Sequence, residues 1–100
     1  MIGMMSIYGI DFVSAAGVNL QTGWLGHSEG VALRVKDACG MYPSGWDGLT
    51  CDGLVKILEN GIGILKERSG DPARAAGAIL TDVLANCRSY PDARVVVTLG

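Results

Sequence analysis

Residues 69–72 read Ser-Gly-Asp-Pro, and this stretch decides the fold because it divides two helical patterns. Gly70 suits the position just after a helix, Asp71 can cap the next helix, and Pro72 fits its first turn. We therefore predict a helix from Pro72 to about Ser89 with one apolar stripe. The stripe comprises Ala76, Ile79, Leu80, Val83 and Cys87.

The segment before this stretch also has helical spacing. Its apolar positions are Leu54, Val55, Leu58, Ile62 and Leu65. Thr50 or Asp52 can cap its start. Gly61 and Gly63 each cost about 0.5–1 kcal/mol relative to Ala inside a helix. Two interpretations follow. Either one helix runs over residues 51–69 and the glycines lie where another helix comes close, or the helix ends at Gly61 and residues 62–67 form a strand.

Strand patterns occupy both ends of the chain. Residues 6–13 are rich in β-branched and aromatic side chains, and residues 14–17 have turn composition. Residues 18–26 and 30–38 alternate between apolar and polar positions, which predicts a β-hairpin with its turn at 27–30. Residues 94–99 are a continuous apolar run typical of a buried strand that inserts beside an earlier one.

The predicted fold class is therefore α+β. A three-stranded N-terminal β-meander is followed by two helices and a C-terminal buried strand, in the order β-β-β-α-α-β. The second interpretation of residues 62–67 changes this order to β-β-β-α-β-α-β. In both cases we expect the helices to pack on one face of a mixed sheet.

The composition is typical of one folded domain covering residues 1–100. Hydrophobic residues make up 49% of the chain and charged residues 18%, so a modest core can form without disulfides. The formal net charge is −2, and the eight Lys and Arg residues are scattered, which makes nucleic-acid binding unlikely. No stretch approaches the ~20 apolar residues of a membrane span, so we expect a soluble cytoplasmic protein without a cofactor.

The three cysteines, Cys39, Cys51 and Cys87, lack the C-x-x-C spacing of zinc and redox sites. An odd count also argues against a secreted disulfide framework. We therefore predict buried or half-buried free thiols. Cys51 could lie in the first turn of a helix, where the helix dipole would lower its pKa somewhat.

The connection at residues 39–49 contains three glycines, a proline and two large aromatic side chains. Tyr, Trp and Met are the residue types enriched where proteins bind each other. The alternative is that these side chains fold back and cover the core. The candidate binding residues are Met41, Tyr42, Pro43, Trp46 and Asp47.

Residues 9–15 read Gly-Ile-Asp-Phe-Val-Ser-Ala and precede a predicted hairpin. This short stretch resembles the opening of ribonuclease H-like folds, in which an aspartate on the first strand helps to bind a catalytic divalent metal. The resemblance implies a metal role for Asp11. If residues 62–67 form a strand, Glu67 near its end would be a second metal ligand.

These observations lead to three functional expectations. The first is a small non-enzymatic protein-binding module of the inhibitor, antitoxin, immunity or phage anti-defence type, acting through the aromatic connection and also the exposed edge of the hairpin. The alternative is a metal-dependent nuclease or hydrolase that uses Asp11 and Glu67. Self-association into a homo-oligomer is a third possibility.

Overall fold

The computed structural model describes residues 5–99, apart from the side chains of residues 5–7, 24–29 and 99. The elements in chain order are β1 (Met5–Val13), β2 (Asn19–Ser28), α1 (Glu29–Cys39), a short 3-10 helix (Pro43–Trp46), α2 (Cys51–Lys66), α3 (Asp71–Ser89) and β3 (Arg94–Leu99). The α+β class is confirmed, with two N-terminal strands, the two predicted helices and a C-terminal strand in the expected order.

The three strands form one sheet in the order β2-β1-β3, and both pairs are antiparallel. The prediction of a mixed sheet is therefore wrong. Alternate β1 side chains, those of Tyr8, Ile10 and Phe12, are buried and face the helices. Val95 on β3 pairs with Phe12 and is fully buried on this helix face. The opposite face, which carries Asp11, is the open face of the sheet.

The N-terminal hairpin joins β1 to β2 through the turn predicted at residues 14–17. The Ser14 N–H donates to the Val18 carbonyl at 2.8 Å, and the Gly17 N–H donates to the Ser14 carbonyl at 2.9 Å. Gly17 has a φ of 84°, a conformation that glycine adopts without steric cost. This turn brings the first two strands together, as the turn composition indicates.

The predicted third strand over residues 30–38 is wrong, because this segment forms α1. Its apolar residues fit the period of a strand and that of a helix. The buried residues are Val31, Ala32, Val35 and Ala38, which have helical spacing. Leu33, which alternation would place in the core, is 43% exposed. The turn predicted at 27–30 is also absent, since β2 ends at residue 28 and α1 begins at residue 29.

The first interpretation of residues 51–69, a continuous helix, is confirmed. One helix, α2, continues past both glycines, so the alternative strand over residues 62–67 is wrong. The Thr50 side chain caps its start by accepting from the Gly53 N–H at 3.2 Å. A Cβ on Gly61 would lie 2.6 Å from Cys39 Sγ and 3.0 Å from a Leu80 methyl carbon. Gly61 therefore lies where α1 and α3 both come close to α2, whereas Gly63 faces open space.

Substitution of the two glycines separates helix propensity from packing. Gly61→Val should lower the free energy of unfolding by about 1–3 kcal/mol, because its methyl groups would overlap buried neighbours. Gly63→Val is the matched control and should change stability by less than about 0.5 kcal/mol. Urea unfolding of both variants measures the difference, and equal stability of the pair would contradict the close approach at Gly61.

Candidate functional site

The connection between the short 3-10 helix and α2 runs along the outer edge of β3. The Gly48 N–H donates to the Val95 carbonyl, and the Val95 N–H donates to the Leu49 carbonyl, both at 2.8 Å. The Val97 N–H donates to Asp47 Oδ1 at 2.9 Å. Residues 47–51, named here the edge strap, therefore satisfy backbone groups that an exposed edge strand would leave open.

The aromatic connection has mostly folded into the core. Trp46 is 0% exposed and is the largest fully buried side chain, and Pro43 is buried beside it. Trp46 Nε1 has no hydrogen-bond partner among the described residues. Tyr42 is 37% exposed, and the Lys36 ammonium lies 5.2 Å from the centre of its ring. Met41 is half-buried.

A binding role for these residues stays a prediction, but its geometry changes. Trp46 and Pro43 have too little exposed surface to contact a partner unless the core opens. Asp47 uses a carboxylate oxygen to hold β3. Tyr42 is therefore the predicted contact residue that presents a large ring to solvent.

The two residues of the metal hypothesis lie in different layers. Asp11 points to the open face, where its Oδ1 accepts from the Thr22 hydroxyl at 2.8 Å. Glu67 caps the end of α2, which belongs to the helical layer on the other side of the sheet. Among residues 5–99 there is no cluster of three or more His, Cys, Asp or Glu side chains that could hold a metal ion. The structure does not bring Asp11 and Glu67 into one site.

All three cysteines are free thiols, as predicted, and each belongs to a different helix. Burial raises the pKa of Cys39 to about 11. Burial also raises the pKa values of Cys51 and Cys87, whose thiols are hydrogen-bonded to each other. The expected lowering of the Cys51 pKa by the helix N-terminus is therefore wrong, since the loss of solvation dominates.

The outer side of β2 contrasts with the strapped edge of β3. Val95 and Val97 direct their backbone groups outward to the strap, so their partners Phe12 and Ile10 direct theirs toward β2. Backbone N–H and C=O groups alternate in direction along a strand. The direction of these groups in β1 therefore determines which β2 residues direct theirs toward β1 and which direct theirs to the opposite side.

On β2, Gly23 pairs with Ile10 and its backbone groups face inward. The neighbouring even-numbered residues Thr22, Trp24 and Gly26 therefore present N–H and C=O groups to the outer side. No strand within residues 5–99 pairs with that side of β2. This edge is long, because β2 has 10 residues.

A groove of about 380 Å³ lies between β2 and α3, beside this unpaired edge. We call it the edge groove, and its main lining residues are Ile10, Phe12, Gly23, Asp82, Val83 and Asn86. The groove stays open partly because position 23 has no side chain. A Cβ there would have only the Ile10 carbonyl oxygen within contact distance, at 3.9 Å.

A second groove of about 400 Å³ lies between α2 and α3 where these helices are joined. We call it the basic groove because Lys66, Arg68 and Arg74 line it. Ile62 and the small residues Ala73 and Gly77 also contribute to its surface.

Neither groove follows from a recognisable sequence motif. Gly23 inside an alternating strand pattern is the signal that could have indicated the edge groove, because glycine in a strand often marks a place where another group comes close. The cations of the basic groove are eight positions apart at most, but the turn between two helices is what gathers them.

Comparisons with known proteins add no functional assignment. The chain matches no protein-family model, no curated protein and no solved structure. Within the described residues, none of the helices has the length and apolar character needed to cross a membrane.

Truncation of the two aromatic side chains should separate core from surface. Trp46→Ala should lower the free energy of unfolding by about 3–5 kcal/mol, because it leaves a large cavity under the strap. Tyr42→Ala, the comparison variant, should cost less than about 1 kcal/mol. Thermal and urea unfolding provide the measurement. A small effect of Trp46→Ala would mean that the tryptophan does not anchor the core.

Stability should fall as the pH rises through the thiol range. The folded protein holds the Cys39 proton up to a pKa of about 11, against an ordinary value of 9.0, so the unfolded chain loses this proton first. Between pH 9 and 11 the contribution of the protonated Cys39 thiol to the free energy of unfolding is lost at up to about 1.4 kcal/mol per pH unit. The free energies of unfolding of wild type and Cys39→Ala, measured in urea, should therefore converge between pH 9 and 11. Parallel pH profiles of the two proteins would contradict the raised pKa of Cys39.

Proposed function

We propose that this protein is a non-enzymatic binding module that captures an extended segment of a partner protein by strand addition to the outer side of β2. The difference between the two sheet edges carries this proposal. The edge of β3 is covered by the strap through three hydrogen bonds, whereas the backbone groups of Thr22, Trp24 and Gly26 face outward without a pairing strand in residues 5–99. A strand that pairs with this edge would satisfy those groups and extend the sheet.

The edge groove would supply side-chain specificity to this interaction. Successive side chains of an added strand point to opposite faces, so every second one would turn toward the helices. One of these would enter the groove beside Gly23, over a floor that includes Ile10 and Val83. An apolar side chain of the size of Val or Leu would gain about 1.5–3 kcal/mol from this burial.

The charge of the groove favours a basic neighbour in the partner segment. Asp82 is the acidic residue among the described residues that line it, and no described lysine or arginine lies there. A cationic side chain next to the inserted apolar residue would therefore complement the groove. The partner chemistry that we propose is an extended segment with an apolar residue close to Lys or Arg.

Proteins that act by binding alone include inhibitors, antitoxins, immunity factors and phage-encoded antagonists of host defence, and we propose a role of this kind. The free thiols support a reducing, cytoplasmic compartment. The metal-dependent alternative would need Asp11 and Glu67 to converge, and their positions on different layers give it no support.

A display library of random peptides, panned against the immobilised protein, tests the proposal. We expect enrichment of segments that combine an apolar residue with a nearby cation, with dissociation constants of about 1–100 μM. Gly23→Val should fill the groove and weaken binding about tenfold or more. The same change should leave the protein folded, because valine favours a strand and its Cβ has room.

The edge itself is tested by a matched pair of substitutions at one position. Thr22→Pro and Thr22→Val both remove the hydroxyl that donates to Asp11, but only proline removes the outward N–H. Loss of peptide binding in Thr22→Pro with retention in Thr22→Val would support strand addition, and equal affinities would refute it. The free protein could instead form a dimer that Thr22→Pro disperses. This result would show that a second copy of the chain, and not a segment of another protein, occupies the edge.

A further inference from the structure

The basic groove has a composition unlike the rest of the surface. Three of the eight Lys and Arg residues line it, and no Asp or Glu belongs to its described lining. Glu67 and Asp71 lie among these cations in the sequence but do not belong to the lining of the groove. A protein with a net charge of −2 therefore concentrates positive charge at one concave place.

These cations are not neutralised within the described part of the chain. Arg74 approaches the Asp71 carboxylate at 3.8 Å, but the two side chains are 81% and 96% exposed, so the pair contributes little. Lys66 and Arg68 have no ion pair with any described carboxylate. The charges thus remain available to a ligand.

The opposite end of the same helix pair shows what a purely structural arrangement looks like. There, Arg88 of α3 reaches across to Glu59 of α2, with 3.2 Å between Nη2 and Oε2. At the basic groove Lys66 of α2, Arg68 of the connection and Arg74 of α3 line one surface, and no ion pair between described residues crosses the seam. The basic groove thus carries positive charge that no ion pair across this seam balances among the described residues.

The groove also has an apolar part that a simple ion would not fill. Ile62 and Ala73 lie beneath the cations, and Gly77 leaves a gap because a Cβ at this position would have no atom within 4 Å. The volume of about 400 Å³ lies within the usual range for small-molecule sites, about 300–1,000 Å³. Charge and shape together indicate a ligand with two chemically different ends.

We propose that the basic groove binds a small amphiphilic anion, in which a phosphate, sulfate or carboxylate group contacts Lys66, Arg68 and Arg74 and a short apolar chain or ring lies against Ile62 and Gly77. The guanidinium groups offer paired N–H donors to an oxyanion. This site is separate from the β2 edge, so it stands independently of the proposed strand addition.

Titration with octyl phosphate, followed by calorimetry and amide chemical shifts, tests the site. The expected dissociation constant is about 0.1 mM for a ligand of this size, measured below its micelle concentration. Inorganic phosphate and octanol are the separate arms for the head and the tail. Both should bind at least about tenfold more weakly if charge and apolar contact act together. Equal binding of octanol would overturn the anionic character, and equal binding of inorganic phosphate would overturn the apolar part.

Two pairs of variants locate the binding. Lys66→Gln with Arg74→Gln should weaken octyl phosphate about tenfold, whereas Lys56→Gln with Arg94→Gln removes the same charge elsewhere and should have little effect. Equal weakening by both double variants would reduce the site to general electrostatic attraction and refute it.

The second pair tests the shape of the groove. Gly77→Leu should occupy the gap and abolish saturable binding, whereas Gly63→Leu places the same side chain on an open part of α2 and should leave it unchanged. Unfolding curves establish whether each variant is folded. If Gly77→Leu does not fold, the charge variants alone test the location of the site. Undiminished binding by a folded Gly77→Leu variant would overturn the assigned location. Thr22→Pro should bind octyl phosphate like wild type, which separates this site from the β2 edge.

Discussion

The burial of Trp46 is the constraint on which the arrangement of the sheet depends. A fully enclosed indole fixes the short 3-10 helix against the core, and the chain that leaves it must then run beside β3. That path closes one edge of a three-stranded sheet with backbone bonds and the Asp47 carboxylate. Because β1 is central, the remaining edge belongs to β2. The position of one aromatic side chain thereby determines which edge of the sheet stays uncovered among the described residues.

The helices α2 and α3 and the turn at residues 14–17 could be predicted from local signals, whereas the structure of residues 30–38 could not. Capping residues and the breaks at glycine and proline act within a few positions, so the start of α2 and both ends of α3 lie within a residue of those predicted. The sequence leaves the end of α2 open between residues 61 and 69, and the helix ends at Lys66. The segment at 30–38 satisfies the helical and the strand period together, and only tertiary packing selects the helix. Leu33 on the solvent side is the consequence of that selection.

The candidate sites depended on contacts that no local pattern records. The aromatic connection has the composition of a binding loop, but the cavity that receives Trp46 is built from distant elements and decides its role. The basic groove similarly arises because a tight connection folds α3 back along α2 and gathers cations that look scattered in the sequence. Gly23 is informative only once α3 is known to lie beside it.

The positions of the cysteines allow local opening of the helical layer to be followed by thiol labelling. Each helix carries one thiol, and two of the three are completely enclosed. Alkylation requires the thiolate in contact with the reagent, so modification of an enclosed sulfur reports that its helix has detached from the core. Cys39 is partly exposed and serves as the reference, while Cys51 and Cys87 touch each other and report the opening of α2 and α3. Mass spectrometry of partially labelled molecules would therefore reveal the sequence in which the helical layer comes apart.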